Sequence, residues 1–157
     1  MGKRMKRNEM ELIFDAIPEN ESLARAVAAF FAAAADINME ELGDIKTAVS
    51  EAVTNSIIHG YGTECKTNNK VAMRCVLEGN SFYTEISDKG TGIENIKKAM
   101  EPMYTTKPEE DRSGMGFSFM EAFMDELIVE SELGQGTTVK MKKKIGVNSA
   151  QKENNEE

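Results

Sequence analysis

Two strand-like segments, Lys70 to Leu77 and Ser81 to Ser87, are joined only by Glu78-Gly79-Asn80. A link that short cannot make the crossover needed to join parallel neighbours, so the pair predicts a β-hairpin. The pattern recurs near the end of the chain, where Leu127 to Glu132 and Thr137 to Ile145 flank the turn Gly134-Gln135-Gly136. A further strand is expected over Glu11 to Ile17, closed by Pro18. Helical periodicity occupies the space between. One helix runs through Leu23, Val27, Phe30 and Phe31 to about Ala35, with Asn20 or Ser22 as its cap. A second begins near Asn38, carries Glu40 and Glu41 in its first turn, and stops near His59-Gly60. Shorter helices are expected around Asn95 to Met100 and over Gly116 to Asp125. This order predicts an α+β domain, a two-layer α/β sandwich whose mixed, mostly antiparallel sheet carries helices on one face. Neither a Gly-x-Gly-x-x-Gly run nor a Walker Lys-Ser/Thr is present, which excludes a Rossmann or P-loop reading.

The 157 residues suit one core of ordinary size. A basic head (1–8, with Lys3, Arg4, Lys6 and Arg7) and an acidic tail (147–157) flank the domain at 9–146, and both ends are expected to be solvated and disordered. A net charge of −8 argues against direct nucleic-acid binding, which needs a basic face. The longest apolar run, Ala26 to Ala35, is too short to span a bilayer, and Lys3 to Arg7 leads into Asn8-Glu9 rather than an apolar signal segment. A cytoplasmic protein with no membrane partner is therefore expected. Cys65 and Cys75 read as free thiols, and with His59 they make no metal-ligand spacing.

Three constellations carry possible chemistry. On the second helix, Leu42, Ile45, Val49, Ala52, Val53 and Ser56 form one stripe, while Glu51 and Asn55, one turn apart, fall on the opposite side with Asp44 and Ala48. A Glu can take a proton and an Asn oxygen can ligate a hard cation, although a plain solvated face would look the same. Second, Asp88-Lys89-Gly90-Thr91-Gly92-Ile93 follows a strand, where a carboxylate could accept a hydrogen bond from an exocyclic amino group and glycines let the backbone approach a ligand. Third, Ser113-Gly114-Met115-Gly116-Phe117 joins a loop to a helix start, where backbone N–H groups and the helix dipole suit an anion. The preceding loop, from Pro102 to Ser113, could add Thr105, Thr106, Lys107 and Arg112.

Taken in order, Glu51…Asn55, Asp88-x-Gly90-x-Gly92, the loop closing on Gly114-x-Gly116, and Gly136-Thr137 resemble the GHKL (Bergerat-fold) ATP site. Within that superfamily, Ser50 to Tyr61, Thr105 to Glu109, Arg112 to Phe117 and Phe123 to Ser131 resemble the bacterial serine-kinase anti-sigma branch. The resemblance implies ATP and Mg²⁺ as cofactors, with Glu51 as general base and Asn55 as the Mg²⁺ ligand. It implies that Asp88 reads the adenine amino group, with Gly90 and Gly92 shaping the pocket and Thr137 supporting it. It places Thr105, Thr106, Lys107, Arg112, Ser113, Gly114, Met115 and Gly116 around the phosphates, and makes Arg25 a partner contact. It further implies a sigma factor and a serine-bearing anti-anti-sigma factor as partners, and a homodimer. A nucleotide-dependent module that sequesters a sigma factor without kinase activity is the alternative.

Overall fold

A computed structural model describes residues 5–62, 68–101 and 116–146. The elements run β1 (Met5–Asp15), α1 (Asn20–Ala32), α2 (Met39–Asn55), a π-helical turn (Ser56–Gly60), β2 (Lys70–Gly79), β3 (Ser81–Asp88), α3 (Ile96–Ala99), α4 (Gly116–Phe123), β4 (Glu126–Glu132) and β5 (Gly136–Lys144). The five strands form one sheet in the order β1-β2-β3-β5-β4. Both expected hairpins form, and the sheet, expected to be mostly antiparallel, is antiparallel in every ladder of the described residues.

Strand alternation makes the sheet two-faced. Val71, Met73, Cys75 and Leu77 of β2, Phe82 and Ile86 of β3, and Val139 and Met141 of β5 join the helices in one buried core. The other face carries a charged ribbon, in which Arg74 bridges Glu9 and Glu85, and Lys140 bridges Glu85 and Glu130. On α1, Ala24, Ala28 and Ala32 are fully buried, a small-residue stripe that lets α1 lie close on α2. The expected stripe of α2 is buried at Ile45, Val49, Ala52, Val53 and Ser56. Each such Ile or Val contributes about 1.5–3 kcal/mol relative to exposure.

Several local expectations are corrected. β1 starts at Met5, so Lys6 and Arg7 belong to a strand and not to a disordered head. Pairing with β2 continues to Gly79 across an irregularity between Met5 and Asn8, and Arg7 reaches Glu9 (2.7 Å) and Glu78 (3.7 Å). Neither Asn20 nor Ser22 caps α1. Asn20 Nδ2 instead donates to the Asp15 carbonyl (2.9 Å) and Ser22 Oγ to the Glu19 carbonyl (3.2 Å), leaving Glu19 at the cap without a side-chain bond. At α2 the cap is Asn38 as expected, and its oxygen accepts from Glu41 N (2.8 Å) while Glu41 Oε1 accepts from Asn38 N (3.1 Å). That same Oε1 accepts from Gly146 N (3.1 Å), tying the end of the last strand to the start of α2.

The side of α2 bearing Asp44, Ala48, Glu51 and Asn55 is not a solvated face. Ala48 is fully buried, because α4 packs against α2 and contributes the buried Met120. Among the described residues, no helix is long and apolar enough to cross a membrane.

Candidate functional site

Glu51 and Asn55 project from the last two turns of α2, and α4 begins directly against them. A Cβ built on Gly116 would lie 3.1 Å from Asn55 Nδ2, 3.2 Å from Asn55 Oδ1 and 3.2 Å from Glu51 Oε2. The start of an α-helix presents backbone N–H groups with no intrahelical partner and the positive end of the dipole. A carboxylate, a carboxamide and a helix start therefore meet at one point.

The second half of the site is assembled by the way α2 ends. The helix runs into the π-helical turn Ser56–Gly60, a geometry often found at functional sites. This turn brings the Ser56 hydroxyl to the Asp88 carboxylate, which also accepts from the N–H groups of Gly90 (2.9 Å) and Thr137. Burial pushes the Asp88 carboxyl above its ordinary value, and those three hydrogen bonds partly oppose the shift. Thr137 is the register partner of Asp88 across β3 and β5, which is why a residue so far along the chain reaches it.

The glycines after Asp88 are needed for space. A Cβ on Gly90 would lie 1.9 Å from the Gly60 carbonyl oxygen, and Gly92 has a φ of 75° with the Glu132 carbonyl 2.2 Å from its would-be Cβ. The loop is then laced on both sides. Thr91 N donates to Gly60 O (2.8 Å), and Gly134 N donates to Thr91 O (2.7 Å). Ile93 N donates to Ser131 Oγ (2.7 Å), and Lys89 N donates to the Tyr61 hydroxyl (2.7 Å), which itself donates to Lys70 O (2.6 Å). Ser56, Tyr61 and Ser131 were not singled out as site residues from sequence. Ser56 lay on the apolar stripe of α2, and its place there as a polar residue was the available signal.

Arg25 lies on the opposite flank of Glu51. A groove of about 300 Å³ is lined by Arg25, Gly43, Lys46, Thr47, Ser50 and Glu51. Glu21 sits at its edge, where it accepts from Ser50 Oγ and pairs with Arg25 at 3.6 Å. The remaining expected phosphate contacts, Thr105, Thr106, Lys107, Arg112, Ser113, Gly114 and Met115, lie outside the described residues, as does Cys65. Cys75 is free and buried.

Residues 14–143 match the family described as the histidine kinase-like ATPase domain, which sets the class of fold and site as a GHKL-type ATPase domain. The chain is 53% identical over 139 residues to an anti-sigma F factor of Geobacillus sp. (strain WCH70), covering 88% of this chain and 94% of that protein. It is 52% identical over 143 residues to the anti-sigma F factor of Clostridium acetobutylicum, covering 91% and 98%. Among solved structures, the RsbU and RsbW domains of Rv1364c from Mycobacterium tuberculosis align with a TM-score of 0.62 at 21% identity, over 88% of this chain and 32% of that longer one. The histidine kinase domain of the Erythrobacter litoralis EL346 blue-light activated histidine kinase aligns at 0.53 with 23% identity, over 76% of this chain and 50% of that one. Both structures share the fold. The chain belongs to the anti-sigma F factor family.

Proposed function

We propose that the protein is an ATP-dependent serine kinase that also holds a sporulation sigma factor inactive and phosphorylates its anti-anti-sigma antagonist. The observation that carries the kinase reading is the contact of Gly116 with both Glu51 and Asn55. It sets an anion-binding helix end beside a base. In this reading Asp88 accepts a hydrogen bond from the adenine amino group in the pocket shaped by Gly90 and Gly92, with Thr137 in support, and α4 receives the phosphates. The loop residues Thr105, Thr106, Lys107, Arg112, Ser113, Gly114 and Met115 complete the phosphate site. Glu51 takes the proton of the acceptor serine as its oxygen attacks the γ-phosphorus and the bond to ADP breaks.

The donor set fits magnesium. The Asn55 side-chain oxygen is a hard donor of the kind Mg²⁺ takes, so Asn55 would hold the ion, which would neutralise phosphate charge.

The groove between Arg25 and Glu51 supports docking of the partners next to the base, with Arg25 as a contact. The family resemblance supports a cytoplasmic homodimer.

The deciding experiment supplies Mg²⁺, γ-labelled ATP and a purified antagonist. Label on an antagonist serine, lost in Glu51→Gln while ATP still binds, is the expected result. Tight ATP binding with no transferred label would leave a nucleotide-dependent sigma-sequestering module instead.

A further inference from the structure

β5 contains Lys140, Lys142, Lys143 and Lys144, and strand alternation sends Lys143 inward with Val139, Met141 and Ile145. Its side chain is 8% exposed. A lysine in a row of core residues breaks the local pattern, and a buried ammonium costs stability unless it is paired. Here the pairing is specific. Lys143 Nζ donates to the Phe123 carbonyl at the C-terminus of α4 (2.7 Å) and pairs with Asp44 Oδ2 on α2 (3.2 Å). A cation at that end of a helix satisfies a free carbonyl and complements the dipole.

Asp44 lies on the same side of α2 as Glu51 and Asn55, seven residues before Glu51, and Phe123 is likewise seven residues from Gly116. At 1.5 Å per residue both intervals span about 10 Å. α4 therefore lies along α2 in the opposite direction, held at its far end by Lys143 and Asp44 while its near end touches Glu51 and Asn55. We infer that Lys143 and Asp44 are positioning residues, which lock α4 along α2 so that its N-terminus stays aimed at the phosphates. This rests on the ATP-site reading above. The pair acts on the phosphate end of the site and not on the Asp88 pocket, which hangs from the π-helical turn and β3.

The test compares ATP with adenosine by calorimetry in wild type, Lys143→Met, Lys143→Arg and Asp44→Asn. In Lys143→Met the Kd for ATP should rise about tenfold and that for adenosine less than about twofold. Lys143→Arg, which keeps the cation, should recover most of the loss. If Lys143→Met does not fold, Asp44→Asn, which keeps the hydrogen bond and drops the charge, should show the same selective loss at smaller size. Equal losses for ATP and adenosine, or none, overturn the inference. Amide hydrogen exchange over residues 116–124 separates it from the functional reading. A wild type that binds no ATP sinks the ATP site, whereas faster exchange confined to α4 in the variants still supports the clamp and unchanged exchange overturns it.

Discussion

Gly60 and Asp88 are in van der Waals contact through a space that only a hydrogen can fill. A Cβ at residue 60 would lie 2.8 Å from both Cγ and Oδ1 of the Asp88 carboxylate. The carboxylate is fixed by Ser56, Gly90 and Thr137, so it cannot retreat without giving up hydrogen bonds. Gly60→Ala should therefore displace Asp88. Overpacking of this kind costs about 1–3 kcal/mol, and ATP affinity should drop on the order of tenfold. Calorimetric titration of the purified variant checks this, and unchanged affinity would show that Asp88 does not set adenine binding.

Asp88→Asn replaces an acceptor with a group that can present an N–H to the ligand. ATP affinity should fall about 10- to 100-fold, the range for a hydrogen bond to a charged group. The pH dependence has a definite sign. The folded-state pKa is raised above the ordinary 3.8 by burial, so the folded chain holds this proton more tightly than the unfolded chain. The stabilisation is complete below 3.8 and disappears as pH rises through the raised value. Urea unfolding of wild type against Asp88→Asn across that window should show wild type losing ground as pH increases.

The charged ribbon on the open face of the sheet behaves oppositely. Burial pushes Glu85 up, but hydrogen bonds from Tyr83 and Arg74 outweigh it and leave the carboxyl below its ordinary 4.5. Glu9 is lowered by the hydrogen bonds it accepts from Arg74 and Arg7. Their contribution is present above 4.5 and lost as pH falls through the lowered values. Arg74→Met removes the shared partner, so its stability deficit against wild type should shrink on acidification from about pH 6 to about pH 3. A deficit that stays constant over that range would mean Arg74 acts through packing alone.

Cys75 sits wholly inside the core against Thr84 Oγ1, and burial pushes its thiol up to about 11. At neutral pH it should resist iodoacetamide in the native protein and react only on unfolding. Peptide mapping after timed alkylation reads Cys75 separately from Cys65. Labelling of Cys75 at the rate of a free thiol under native conditions would show that this strand opens readily.

The sequence alone determined the parts whose physics is local. Both hairpins follow from glycine-bearing links between alternating strands, and the Asn38 start of α2 follows from capping chemistry confined to four residues. The buried stripe of α2 follows from helical periodicity, and the order of Glu51, Asn55, Asp88, Gly90 and Gly116 marked the family. What required the tertiary structure involves residues far apart in the chain. Periodicity places Asp44, Ala48, Glu51 and Asn55 on one side of α2, but it cannot say whether water or another helix covers them, and α4 does. Likewise Ser56 looked like a stripe residue until the π-helical turn set its hydroxyl on Asp88. In the sequence Lys143 is one lysine among four on β5, and only the packing of β5 beneath α2 and α4 gives it Asp44 and the end of a helix. Sequence patterns record which face of an element is apolar, whereas the partner of a buried polar group is chosen by packing.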